Sequence, residues 1–273
     1  GLLHVVLSDA LKKYQYLDKN ERSFISRLVQ GTEERKIELD YIIDSFSKTP
    51  VKKQKDVIRI ILEMSVYQLK YMDSVPASAV CNEAVKLAVK KNFGTLRGFV
   101  NGVLRNIARN IDNIEYPDKS TNTDKYLSVK YSVPEELAGY FLKKFGDNET
   151  EEMFEAFNKD KSTYIRCNTK KTDIAGLTAA LEAEGVTVTN EGIDKRIDYA
   201  LKISGYDYLG GLKSFRDGLF FVQDISSMLA SQGGFIKRDA YVIDVCAALA
   251  YLDVLNSVKN SIILCDETFS RNK

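Results

Sequence analysis

The spacing of apolar residues changes partway along the chain. Up to about residue 110 they recur at helical intervals. Residues 18–31 place Phe24, Ile25, Leu28 and Val29 together, and Gly31 stands where it would end that helix. A second helix carries Ile37, Tyr41, Ile42 and Phe46, and Pro50 marks its end. Asp56 is a candidate cap for a third, in which Val57, Ile60, Ile61, Met64, Val66 and Leu69 are too many for one narrow stripe; a central, mostly buried helix is expected. Pro76 suits the first position of a fourth, continued by Val80, Ala84, Leu87 and Ala88. Leu96 to Ala108 forms the fifth, with Phe99, Val103, Leu104 and Ile107 inward. Gly98 and Gly102 lower its helix propensity and predict close packing against a neighbour.

Residues 111–124 are polar and read as a linker, and Pro134 to Phe145 as a further helical stretch. After Asp160 short runs take over. Tyr164–Asn168, Val186–Thr189, Ala200–Ile203 and Leu219–Val222 read as strands, with a helix at Asp173–Glu184 capped by its Asp and closed by Gly185. Tyr241-Val-Ile-Asp-Val-Cys-Ala has the apolar run of a parallel strand buried on both faces. Leu249–Val258 is a candidate crossover helix and Ser261–Asp266 a second strand, together one βαβ unit. The expected fold class is therefore multidomain: an all-α domain at 1–115, a linker and helical connection at 116–160, a small α+β module at 161–238, and the first βαβ unit of a Rossmann-like domain at 239–273.

Charge adds a polarity to this layout. Residues 1–115 hold 19 Lys and Arg against 14 Asp and Glu, while the chain as a whole carries only +1. A mildly basic helical domain suits nucleic acid, and equally suits a solvated helical surface. Lys90, Lys91, Arg97, Arg105 and Arg109 are the candidates for phosphate contact, each also readable as a solvated helix charge. Cys81, Cys167, Cys246 and Cys265 form no C-x-x-C pair and His4 is the single histidine. A disulfide framework, a metal site or a Ser-His or Cys-His catalytic group is not expected, and a reducing cytoplasm fits. The apolar runs are short, as at Val57–Leu62 with Arg59 inside it, so no membrane span is expected. The N-terminus has neither a basic leader nor a small-residue cleavage site and reads as the cut end of a helix.

Three stretches carry a family resemblance. The first is Glu21-Arg-Ser-Phe-Ile-Ser-Arg-Leu-Val-Gln-Gly-Thr. The second is Tyr67-Gln-Leu-Lys-Tyr-Met-Asp-Ser-Val-Pro-Ala-Ser-Ala-Val-Cys-Asn-Glu-Ala, followed by Gly98-Phe-Val-Asn-Gly-Val-Leu-Arg. Both resemble the NusB-like helical domain at the front of the bacterial 16S ribosomal RNA cytosine carbon-5 methyltransferases called Sun, Fmu or RsmB. The third, Gly218-Leu-Phe-Phe-Val-Gln-Asp-Ile-Ser-Ser-Met-Leu followed by Asp244-Val-Cys-Ala-Ala, resembles the entry to that family's S-adenosylmethionine-binding domain. The order and spacing match from about residue 2 to 248.

The resemblance implies an enzyme in which a cysteine thiolate adds to cytosine carbon 6, carbon 5 takes the methyl group, and a second cysteine assists release. Both cysteines are expected beyond residue 273, so no catalytic residue is expected in this chain. Cys246, Ala247 and Ala248 fall in the cofactor motif, and Asp266 at the end of the next strand is placed to hold the cofactor's ribose. Cys246 is readable as well as a small buried strand residue, and Asp266 as an exposed strand-end acid. Gln223 and Asp224 stand at the entrance of that domain, where Asp224 is either functional or simply the cap of the next helix. The sequence departs from the family after Ala248. Where the family has Pro-Gly-Gly-Lys, this chain has Leu249-Ala-Tyr-Leu, with no glycine from there on. Side chains there obstruct a backbone approach to the cofactor. The expected partner is 16S ribosomal RNA, with no metal and a monomeric state. The expected activity is that of an inactive fragment of a methyltransferase; the competing reading is a non-enzymatic NusB-like RNA- or protein-binding module.

Overall fold

In the first unit α2, α3, α5 and α6 take their positions from the faces they bury against α4. The computed structural model describes residues 3–14, 16–159, 162–233, 241–244 and 260–263, and the chain divides into two units, 1–159 and 160–273. The first holds α1 (Leu3–Lys12), α2 (Lys19–Glu34), α3 (Lys36–Phe46), α4 (Asp56–Tyr71), α5 (Ala77–Lys90), α6 (Arg97–Asn110), α7 (Thr123–Tyr131), α8 (Glu135–Phe145) and α9 (Asp147–Phe157). As the apolar count predicts, α4 is central. Its Ile58, Ile61, Leu62 and Val66 are buried with Leu39, Ile42 and Ile43 of α3, Ala84 and Ala88 of α5, and Val100, Leu104 and Ile107 of α6. Ile60 faces outward, 46% exposed.

Caps and glycines depart from the sequence reading in instructive ways. Asp18 caps α2 in a reciprocal box with Glu21: the Glu21 N–H donates to the Asp18 carboxylate at 2.8 Å and the Asp18 N–H to that of Glu21 at 3.0 Å. Asp56 is the first residue of α4 rather than its cap, and pairs with Arg59 at 3.2 Å. Pro76 stands one residue before α5. Gly31 does not end α2, which continues to Glu34. It is buried, and a Cβ there would lie 2.0 Å from the Tyr67 ring of α4. The missing side chain is what lets α2 and α4 approach.

The expected boundary at residue 115 falls inside the first unit. Leu127, Tyr131, Val133, Ala138 and Phe154 form a second small core for α7–α9. The joint to the larger core is polar. Glu38 on α3 is 2% exposed, and its carboxylate accepts hydrogen bonds from the hydroxyls of Tyr71 on α4 and Tyr116 beyond α6. Lys70 Nζ lies 3.4 Å from the carboxylate and donates to Tyr116 Oη at 2.8 Å. The Glu38 N–H donates to Ser132 Oγ at 3.1 Å, where Ser132 turns the chain at φ 55°. Burial first, then the charge of Glu38 and the hydrogen bond to it, push both phenols well above their ordinary range, the hydrogen bond ranking before the charge at Tyr116, so both remain donors. Further out, burial opposes ionisation of Glu151 on α9, but hydrogen bonds from Lys119, Lys130 and Tyr131 hold it down to about 2.

The second unit holds β1 (Thr163–Cys167), α10 (Ile174–Ala183), β2 (Thr187–Thr189), β3 (Ala200–Ser204), α11 (Lys213–Arg216), β4 (Phe220–Val222), α12 (Ile225–Gly233), β5 (Tyr241–Asp244) and β6 (Asn260–Ile263). The first four strands form one antiparallel sheet in the order β2-β3-β1-β4. Leu177 and Leu181 of α10 cover one face, over Ile165, Cys167, Leu201, Ile203 and Phe220. Met228 of α12 packs with Ile197 and Ala200. Asp173 caps α10, accepting from the Gly176 N–H at 2.7 Å. Between β5 and β6 the pairing is parallel, Val242 opposite Ser261 and Ile243 opposite Ile262, and parallel neighbours require a crossover. The expected crossover helix at Leu249–Val258 lies outside the described residues.

Two outcomes follow for stability. Tyr116→Phe deprives a buried carboxylate of one donor, and we expect a loss of about 1.5–3 kcal/mol in chemical denaturation, the usual worth of a hydrogen bond to a charged group. An unchanged midpoint would remove Tyr116 from the joint. The second concerns Glu63 on α4, 3% exposed. Burial first, then the charge of Asp40 and a hydrogen bond with it, push Glu63 up to about 7 against the opposing pull of Lys36 and Arg59. The native state therefore holds a proton that the unfolded chain releases above its ordinary 4.5, and stability falls as pH rises through that window. Glu63→Gln is expected to flatten the fall; an equally steep fall in the variant would place its source elsewhere.

Candidate nucleic-acid interface

The α5–α6 pair is built so that its inner faces are apolar and its outer faces are not. Val80, Ala84 and Ala88 turn α5 inward, leaving Asn82, Lys86 and Lys90 at four-residue intervals on its exposed side. The end of α5 is sharply defined. The Phe93 N–H donates to the Ala88 carbonyl at 2.9 Å and the Asn92 N–H to that of Val89 at 3.0 Å, with Asn92 at φ 67°. This pairing closes the helix and redirects the chain into α6. On α6, Val100, Val103, Leu104 and Ile107 are buried. Gly98, Asn101, Gly102, Arg105 and Arg109 recur at spacings of three and four, which sets them along one outer stripe.

A surface groove of about 520 Å³ runs between these stripes, lined by Asn82, Val85, Lys86, Arg97, Gly98, Asn101 and Arg105. Of the five basic residues expected to touch phosphate, Arg97 and Arg105 line it. Arg109 continues the stripe one turn on, while Lys90 ends α5 and Lys91 follows it. All five are exposed, and none has an ion-pair partner among the described residues. Arg105 Nε donates to Asn101 Oδ1 at 3.0 Å, which sets the guanidinium beside the stripe. The sequence reading missed Asn82, Lys86 and Asn101. Their regular outward spacing was the available signal.

Gly98 and Gly102 reverse the expectation of close packing. Both are exposed, and a Cβ at either would meet no heavy atom within 4 Å. Each costs the helix about 0.8–1.0 kcal/mol relative to alanine, and no contact within the fold uses the space.

Elsewhere the chemistry is quiet. Cys81 and Cys167 are buried free thiols. Burial pushes both up from the ordinary thiol value, against Arg105 for Cys81 and together with Asp173 for Cys167. Neither is placed as a thiolate. Asp224 caps the following helix: its carboxylate accepts from Ser226 N–H at 2.8 Å and Ser226 Oγ at 2.6 Å. Gln223 is 5% exposed, and neither polar atom of its amide has a partner among the described residues. Arg166, also buried, stacks over the Tyr199 ring at 5.4 Å. Among the described residues no group of three or more His, Cys, Asp or Glu is placed to hold a metal, and no helix is long and apolar enough to cross a membrane. Cys246, Ala247, Ala248 and Asp266, expected at the cofactor, lie outside the described residues.

Residues 3–109 match the model of the NusB family. Beyond that domain the similarity continues into the second unit. The chain is 32% identical over 245 residues, 90% of its length, to the Bacillus subtilis (strain 168) protein named "Probable ribosomal RNA small subunit methyltransferase B". The chain is a NusB-domain relative of ribosomal RNA small subunit methyltransferase B. A Synechocystis protein of the same name is likewise 32% identical, over 247 residues. The chain spans about half the length of these relatives, 53% and 54%. The crystal structure of PH0851 superposes on 94% of the chain and 57% of its own length with a TM-score of 0.68 at 22% identity, which supports the fold.

The NusB-domain groove gives a direct electrostatic expectation. If Arg97 and Arg105 neutralise phosphates, the double variant Arg97→Gln/Arg105→Gln should bind RNA more weakly, and the slope of log affinity against log salt should flatten by about 1.4 for a single strand. Filter binding at several salt concentrations measures this. A slope equal to that of the wild type would place the phosphate contacts elsewhere.

Proposed function

We propose that this chain is the RNA-holding front half of an S-adenosylmethionine-dependent methyltransferase acting on cytosine carbon 5 of 16S ribosomal RNA. One observation carries the reading: a similarity covering 90% of the chain takes in the NusB domain and the β-sheet unit alike. A stand-alone NusB-type module accounts only for residues 3–109. In this reading the division of labour is helical domain, positioning α+β module and the opening of a Rossmann-like methyltransferase sheet, for which the parallel β5–β6 pairing is the supporting geometry. The basic stripe of α5 and α6, in which Lys86 pairs with Glu83 at 2.7 Å and Arg97 and Arg105 have no ion-pair partner among the described residues, supports RNA as partner, with Lys90, Lys91 and Arg109 extending the contact beyond the groove.

Cys246, Ala247, Ala248 and Asp266 are the proposed cofactor contacts of the intact protein, and S-adenosylmethionine would supply the methyl group. In the sequence, Ala250 and Tyr251 stand where the resemblance calls for the two glycines. Side chains there keep a bound adenosyl group away from the backbone. The thiols of Cys81 and Cys167 are buried and protonated. We therefore expect this chain to bind unmodified small-subunit ribosomal RNA in a salt-dependent way and to transfer no tritiated methyl group to it. Isothermal titration should show no tight binding of S-adenosylmethionine. Cysteine-dependent turnover or micromolar cofactor binding by this chain would overturn the reading of its last segment. Absence of RNA binding at low salt would overturn the reading as a whole.

A further inference from the structure

We propose that the exposed aromatic face of α8 and α9 docks a basic, amphipathic helix of a partner protein. The surface lies past residues 3–109, the span that matches the NusB model, and the inference stands apart from the reading of the chain as RNA-binding.

The face is one connected set of rings. Phe141 is its hub, with its ring centroid 5.9 Å from that of Tyr140, 5.6 Å from Phe145, 5.4 Å from Phe154 and 6.5 Å from Phe157. Phe154 is fully buried in the small core of α7–α9. The outer rings are not. Tyr140 is 57% and Phe157 54% exposed, and Leu137 and Phe145 are exposed on the same pair of helices. Apolar residues scattered singly over a surface are ordinary, whereas several joined on one face mark an interaction site.

Charge selects the occupant. Residues 123–159 hold eight Asp and Glu against five Lys, the reverse of the basic balance at 1–115. Lys130 is engaged by Glu151 at 3.0 Å and Lys159 by Glu155 at 3.5 Å. Lys144 Nζ lies 5.9 Å from the ring centroid of Tyr140 and 5.3 Å from that of Phe145, so these rings already seat a cation. Beside Tyr140 a groove of about 650 Å³ is lined by Asp124, Glu135, Glu136, Gly139 and Lys143. Glu135 and Glu136 are exposed in the first turn of α8, and neither has an ion-pair partner among the described residues. Phosphates would meet this rim as like charges, which disfavours RNA. A second copy related by a two-fold axis would bring the acidic rim against itself. A helix with an apolar stripe edged by Arg or Lys meets neither obstacle. Its stripe covers the rings, and its basic side chains reach the carboxylates.

The test uses the 273-residue chain and a fluorescein-labelled synthetic peptide about four turns long, with Leu along one helical stripe and Arg elsewhere. A scrambled peptide of the same composition and a version with Glu in place of Arg are the controls. The wild type should bind the striped basic peptide about tenfold more tightly than either control. Tyr140→Ser/Phe157→Ser should weaken that binding about tenfold and keep its salt dependence. Glu135→Gln/Glu136→Gln leaves every ring in place, and so keeps the test decisive if the ring variant loses its fold. It should weaken binding about fivefold and flatten the salt dependence. Both variants should bind single-stranded RNA as the wild type does. A scrambled peptide bound as tightly as the striped one, or unchanged affinity in either variant, would overturn the inference. So would self-association of the wild type that the ring variant abolishes, which gives the face to a second copy. Displacement of the peptide by RNA, with RNA binding lost in the variants, would give the face to nucleic acid and overturn the inference as well.

Discussion

A carboxylate buried at the start of α3 decides how far the first unit extends. Glu38 is almost wholly removed from water, and an ionised group in that position persists only when its oxygens are occupied. Its partners come from two directions. Tyr71 and Lys70 belong to the central helix α4, while Tyr116 arrives from the segment after α6, and Ser132 closes the neighbouring backbone N–H. Removal of residues past 115 would strip the carboxylate of a donor and uncover part of α3. The helices α7–α9 are thus bound to the NusB domain by the need to satisfy a charge, as well as by their own small core.

That joint also explains why the region after residue 110 was poorly legible. In α7 the residues Leu127, Ser128, Val129 and Tyr131 are all buried, so the helix shows no single stripe, and a reading based on periodicity passes over it. In α9 only Thr150 and Phe154 are buried, among acidic residues, and too little apolar pattern remains. By contrast, the strands of the second unit are short runs set off by turn residues, a signal that does not depend on which face is covered. Their expected and observed limits agree within one residue at β2, β3 and β4.

Glycine was the least legible residue, because sequence gives its cost without its purpose. By sequence Gly31 reads as a helix stop, yet it lies against the Tyr67 ring inside a continuing helix. Gly98 and Gly102 read as contact points with a neighbour, yet they face open space. The same backbone freedom that serves a turn also serves close approach, and only the position of the neighbouring helices distinguishes them. For the candidate interface, the sequence identified the basic residues of α5 and α6 but not the groove. That groove depends on the asparagine-closed end of α5, which sets the two stripes side by side.

The central claim is that the outer stripes of α5 and α6 meet RNA. The most direct measurement is a titration of the isotopically labelled chain with unmodified small-subunit ribosomal RNA fragments, followed through backbone amide resonances. Gly98 provides a probe inside the groove and Gly102 one beside it on the same helix, and Glu38 and Ser132 provide internal references at the buried joint. The account predicts shifts concentrated at Asn82, Lys86, Gly98, Asn101, Gly102 and Arg105, with the joint unmoved. Shifts confined to the β-sheet unit or to α7–α9, with the groove silent, would contradict it.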